Sequence, residues 1–148
     1  MAKTTLPMPQ IEPTGDTIGG RPRFRLAHPF SLTVPMGDSG TYHFRIPAGF
    51  ETDFASVPRL LWWFVHPMDP HILVGSLIHD DLYTLRKSTV TLQTGAGREH
   101  TESLVLSRWM CDSWLRFIMS MFGAPLWKQV LAFWVVRLGG RRHYRRTI

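Results

Sequence analysis

Cysteine is nearly missing from this chain: Cys111 is the only one among 148 residues. That excludes an intramolecular disulfide framework and any multi-cysteine zinc site. No run of 18 apolar residues occurs either, so no membrane-spanning helix is expected. The closest stretch, 117–138, is interrupted by Pro125, Lys128, Gln129 and Arg137. It reads as a buried or interfacial helix, with a helix lying on a membrane surface as the other reading. The opening residues MAKTTLPMPQIEPTGDTIGG lack the apolar core of a secretory signal. Also missing are a phosphate-binding P-loop, a dinucleotide glycine fingerprint and a G-x-S-x-G nucleophile elbow. Cys111 sits mid-helix beside Met110, the setting of an inert buried thiol, so nucleophilic catalysis has little to stand on.

What is present suits one globular domain with a sizeable core. The length falls within the usual single-domain range of roughly 100–200 residues. Hydrophobic residues make up 44% and include six tryptophans, many large apolar side chains for this length. Basic side chains outnumber acidic ones, 17 to 11, and five of them crowd the C-terminal end: Arg137, Arg141, Arg142, Arg145 and Arg146. Such a cluster can neutralise phosphates of nucleic acid or of an anionic surface. Its plainer reading is a solvated tail that keeps the protein soluble.

Prolines and glycines punctuate residues 1–22, which read as an extended arm that is disordered or ordered only by a partner. From Phe24 to Val34, and again from Tyr42 to Ile46, apolar residues alternate with polar ones across a turn-rich Pro35–Gly40 segment. Two antiparallel strands follow from that pattern. Four largely apolar helices are expected next. One begins near Pro58 with Ser56 as its cap, and one runs from Pro70 to Leu85 with Asp69 as its cap. After a polar loop, 86–97, a long helix leads from Thr101 to Phe122. Gly123-Ala-Pro125 breaks it, and a last helix ends at Leu138 before Gly139-Gly140. The fold class is therefore α+β, a small N-terminal antiparallel sheet followed by about four helices. The domain spans 23–139, between the arm and a basic tail, 140–148.

Three stretches hold side chains capable of chemistry. In Ile78-His79-Asp80-Asp81-Leu82-Tyr83, an imidazole and adjacent carboxylates suit a divalent metal, and Tyr83 shares the face of His79. A hydrogen-bonded structural pair is the commoner meaning of a His-Asp dipeptide. In Gly49–Pro58 the connector carries Glu51, Asp53 and Ser56, which either face a site or cap a helix. Arg108, Asp112 and Arg116 share one helix face. They form either a surface ion-pair row or, if that helix is central, a buried polar stripe with Asp112 facing His79 and Asp80.

Taken together, IPAGFETDFASVPRLLWWF, SLIHDDLY, SRWMCDSWLRFIMSMFGAP and the closing VVRLGG resemble the domain-of-unknown-function family 1353 of tailed phages and prophages. The matching positions are Pro47, Gly49, Phe50, Thr52, Asp53, Ser56, Pro58, His79, Asp80, Leu82, Tyr83, Arg108, Asp112 and Gly123, and the resemblance covers about 24–139. It implies a phage or prophage origin, with other phage proteins as partners and the host cytoplasm or the virion, at its tail, as location. It carries no established activity. Motif residues on three separate segments do point to a convergent site. The expectation is a divalent metal (zinc, manganese or magnesium) held by His79, Asp80 and Asp112, with Asp53, Ser56 and Asp80 as catalytic residues of a hydrolase acting on phosphoester or cell-wall bonds. Arg141, Arg142, Arg145 and Arg146 would bind nucleic acid or a partner. The competing expectation is a non-enzymatic phage component in which the same polar residues form a buried structural network.

Overall fold

The computed structural model describes residues 6–18, 21–52, 59–66, 68–85, 87–93 and 98–139. Apolar alternation builds the central hairpin as expected. Strands β3 (Phe30–Pro35) and β4 (Thr41–Ile46) pair antiparallel, with Leu32 opposite Phe44 and Phe30 opposite Ile46. Phe30, Leu32 and Val34 bury one face of β3, while Ser31 and Thr33 between them face outward.

Two more strands precede this hairpin. β1 (Ile11–Ile18) and β2 (Arg21–Leu26) pair antiparallel, so part of the expected arm is strand anchored on its own chain. A two-residue strand, β5 (Glu51–Thr52), completes that three-stranded sheet in the order β1-β2-β5. Near Pro58 the expected helix is replaced by a single 3-10 turn, Arg59–Leu61. The described residues therefore contain three α-helices rather than four. α1 (Pro70–Leu85) starts where its signals place it: the Asp69 carboxylate accepts the His71 backbone N–H at 3.0 Å, and Pro70 takes the first helical position.

The largest departure lies between α1 and the next helix. The expected loop holds β6 (Lys87–Gln93), and the first turns of the expected long helix are β7 (Glu99–Val105). Their β-branched content, Thr89-Val90-Thr91 against Thr101 and Val105, favours a pleated ribbon over a helix. They extend the main sheet to the order β3-β4-β6-β7. α2 (Arg108–Met121) then begins at a Ser107 cap, whose hydroxyl accepts the Met110 N–H at 3.3 Å. Gly123 ends it with φ at 79°, a left-handed conformation that lets the Ala124 N–H reach the Met119 carbonyl at 3.0 Å. α3 (Leu126–Gly139) follows directly.

Two linked cores hold these elements. The inner faces of β3 and β4 meet Leu77, Ile78 and Leu82 of α1 and Trp114 and Ile118 of α2. Trp114 fills the junction, its ring 4.8 Å from Tyr42 and 5.0 Å from Phe44. A smaller cluster joins Ile72, Leu115 and Met119 to Ala132 and Val136 of α3, with Val65 from the turn that follows the 3-10 element. Gly75 sets the α1–α2 approach: a methyl group there would stand 3.1 Å from both the Leu115 side chain and its backbone oxygen.

Candidate functional site

Three helices deliver one buried polar cluster. His79 and Tyr83, four residues apart on α1, overlap on one face with ring centroids 4.1 Å apart. α2 brings Asp112, and α3 brings Arg137. One Asp112 oxygen, Oδ1, accepts from His79 Nε2 at 2.9 Å and from the Tyr83 hydroxyl; the other, Oδ2, accepts from Arg137 Nη1 at 3.1 Å. Arg108 Nε donates to the Tyr83 hydroxyl at 3.2 Å, and its Nη2 reaches the carbonyls of Val136, at 3.2 Å, and Arg137. Arg108 thereby satisfies carbonyls in the last turn of α3 that have no partner within the helix.

This geometry decides between the two readings of the Arg108-Asp112-Arg116 spacing. A surface ion-pair row is ruled out, because Asp112 is wholly buried, Arg108 reaches α3 and Arg116 points to solvent. Asp112 does face His79, as the buried-stripe reading requires.

On the opposite edge of the imidazole the arrangement changes. His79 Nδ1 is buried, finds no hydrogen-bond partner among the described residues, and faces Asp80 Oδ1 at 3.7 Å, an ion-pair distance. The other Asp80 oxygen, Oδ2, accepts the hydroxyl of Thr52, which ties β5 to α1. Asp80 and Asp112 therefore address different nitrogens of one ring. Asp112 stands behind the imidazole as its orienting partner rather than beside Asp80 as a further ligand. Among the described residues, no three His, Cys, Asp or Glu side chains converge as a metal cage. Asp53, Ser56, Arg141, Arg142, Arg145 and Arg146 lie outside the described residues.

Electrostatics follow the same division. Burial pushes the Asp112 carboxyl up, but hydrogen bonds from His79, Tyr83 and Arg137 outweigh it and hold Asp112 below its ordinary 3.8. Burial disfavours a charged His79, yet Asp112 and Asp80 together raise it above 6.5. An ionised Asp112 favours a proton on Nε2, the nitrogen that faces it. Next to it, burial and the Asp80 charge push the Asp81 carboxyl up to about 6. Burial and Asp112 likewise raise the Tyr83 hydroxyl, keeping it a neutral donor.

The Asp112 half of the cluster is saturated, with both carboxylate oxygens accepting from side chains of α1 and α3. An imidazole whose N–H is committed to a carboxylate is the arrangement of a metal-ligating histidine, with the partner fixing its tautomer. Thr52 and Arg137 are the participants that sequence reasoning missed as site residues. Thr52 belonged to the matched motif but carries only a hydroxyl, and Arg137 was counted with the basic tail.

A family model described as "Protein of unknown function (DUF1353)" matches residues 24–136. Neither the curated proteins nor the solved structures include a match. The motifs that build the cluster, from Thr52 through His79 and Asp80 to Asp112, all fall inside the matched span, and the chain belongs to the DUF1353 family.

Proposed function

We propose that this chain is a phage- or prophage-encoded, tail-associated hydrolase whose divalent cation is held by His79 Nδ1 and the Asp80 carboxylate. The observation that supports the metal is the buried Nδ1, which faces the Asp80 carboxylate, has no hydrogen-bond partner among the described residues and is oriented from behind by Asp112. Zinc, manganese or magnesium bound there would lower the pKa of a water molecule towards about 7, the usual basis of metal-assisted hydrolysis. In this reading Asp112, Tyr83 and Arg137 hold the ring, Thr52 fixes one Asp80 oxygen, and Asp53 and Ser56 act on phosphoester or cell-wall substrates. The phage setting rests on the motif resemblance. With it come the expected partners, other phage proteins, and the locations, the host cytoplasm during infection and the virion.

Elemental analysis after dialysis against each of the three metals tests the proposal. Wild type should retain close to one equivalent, and Asp80→Asn should retain none while keeping its helical circular dichroism. A metal-free wild type would overturn the metal assignment. Metal-loaded protein that cleaves neither a phosphodiester nor purified cell wall would overturn the hydrolase.

One observation favours a second reading, a non-enzymatic phage component stabilised by a buried network: both Asp112 oxygens are saturated by donors from α1 and α3. That reading expects wild type and His79→Gln to incorporate into particles equally well, with only stability changed.

A further inference from the structure

The outer face of α3 is apolar along its whole length. Leu126 is 64% exposed, Trp127 53%, Trp134 52% and Leu138 77%, with Val130 between them at helical spacing. The opposite face, through Ala132 and Val136, is fixed in the core, so the helix cannot roll to hide these side chains. Leu60, Trp63 and Phe64 add further exposed apolar surface in and just after the 3-10 turn, where Leu61, Trp62 and Val65 pack into the same cluster as α3. Patches of this kind on a folded chain mark docking surfaces.

Charge selects the occupant. Residues 113–148 carry seven basic side chains and no acidic one, whereas residues 1–112 carry ten basic and eleven acidic. The entire positive excess thus lies on and after the helices that bear the apolar stripe. Within α3, Lys128 already pairs with Asp69 and Arg137 with Asp112, so the charge that selects the occupant comes chiefly from Arg141, Arg142, Arg145 and Arg146, which follow the helix in sequence. A second copy docking through this face would set like charges against each other. Nucleic acid would satisfy the arginines but not a row of leucine and tryptophan. An anionic phospholipid surface satisfies both, because tryptophan and leucine enter the headgroup boundary while arginines pair with lipid phosphates. The helix has 14 residues, about 21 Å at 1.5 Å per residue, against a hydrocarbon core of about 30 Å. No helix among the described residues is long and apolar enough to cross a membrane. Geometry therefore allows α3 to lie on a bilayer and not to traverse one.

We propose that the outer face of α3 docks the protein on an anionic phospholipid bilayer, with Leu126, Trp127, Val130, Trp134 and Leu138 entering the interface and the arginines that follow contacting phosphates. This surface is independent of the His79 site.

Cosedimentation of the full chain with vesicles tests it. Vesicles of phosphatidylglycerol and phosphatidylcholine in equal parts should bind the protein at least about tenfold more tightly than pure phosphatidylcholine, with a blue shift in tryptophan emission. Salt at roughly 0.5 M should erase that preference. The double substitution Trp127→Ser/Trp134→Ser should weaken binding about tenfold or more. If that variant fails to fold by circular dichroism, Leu126→Ser/Leu138→Ser takes its place. Replacing Arg141, Arg142, Arg145 and Arg146 with serine should remove the preference for anionic lipid. Absence of vesicle binding, or binding unchanged by the apolar substitutions, would overturn the proposal. So would a wild-type dimer in gel filtration that the tryptophan substitutions dissociate, or duplex DNA competing the protein off vesicles while the tryptophan variant binds lipid normally.

Discussion

Asp112 on α2 accepts the Nε2 proton of His79 on α1 at 2.9 Å, and Arg137 on α3 meets the opposite oxygen of the same carboxylate at 3.1 Å. The carboxylate is wholly buried, so its charge is balanced by these neighbours rather than by water.

Replacing Asp112 with asparagine would leave Arg137 and the His79–Tyr83 pair without a counter-charge. Breaking a buried pair from one side costs about 3–5 kcal/mol. Urea unfolding of Asp112→Asn should show a loss of that size. A loss below about 1 kcal/mol would mean that water already solvates the cluster.

Tyr83→Phe removes one donor to Asp112 and the acceptor for Arg108 Nε while preserving the ring against His79. The expected cost is about 1–3 kcal/mol, smaller than that of Asp112→Asn because two donors to the carboxylate remain. The same denaturation experiment measures both, and the reverse order of the two losses would place Tyr83, not Asp112, at the centre of the network.

Gly75→Ala should destabilise the fold even though alanine is the better helix former by about 1 kcal/mol. The added methyl would stand 3.1 Å from the Leu115 backbone oxygen, which cannot move without moving α2. A net loss of about 1–3 kcal/mol is expected from overpacking, and thermal unfolding reads it directly.

Asp69 sets an acid-side dependence. Burial raises its carboxyl, but hydrogen bonds from Lys128 and from the His71 backbone and ring outweigh this and hold it below 3.8. A group whose pKa is depressed on folding binds fewer protons in the native state. Its contribution is therefore full above the unfolded value of 3.8 and is lost as pH falls through the lower folded value. The stability gap between wild type and Asp69→Asn should be constant near about pH 6 and shrink steadily below about pH 4. A gap that stayed constant through that acid range would show that the carboxylate contributes no ionic stabilisation.

Where local chemistry dominates, the sequence could be read directly. Alternation in Phe30–Val34 and Tyr42–Ile46 gives β3 and β4, and Asp69-Pro70 marks the start of α1, because both signals act within a few residues. The His79–Tyr83 spacing also follows from helical periodicity, whereas the same periodicity leaves Asp112 open between a surface row and a buried stripe, and only the packing of α2 against α1 and α3 decides it. The β6–β7 ribbon was hidden because its polar threonines resemble a loop and Thr101-Glu102 resembles the start of a helix; pairing across the hairpin overrode both. Arg137 was hidden for a different reason. Its neighbours in sequence are the arginines of the tail, and only the packing of α3 on α2 turns it inward to Asp112.

That packing also means that α3 cannot detach on its own: lifting it off α2 would strip Arg137 from a carboxylate that is wholly buried, so the Asp112 charge couples the opening of α3 to that of the whole three-helix junction.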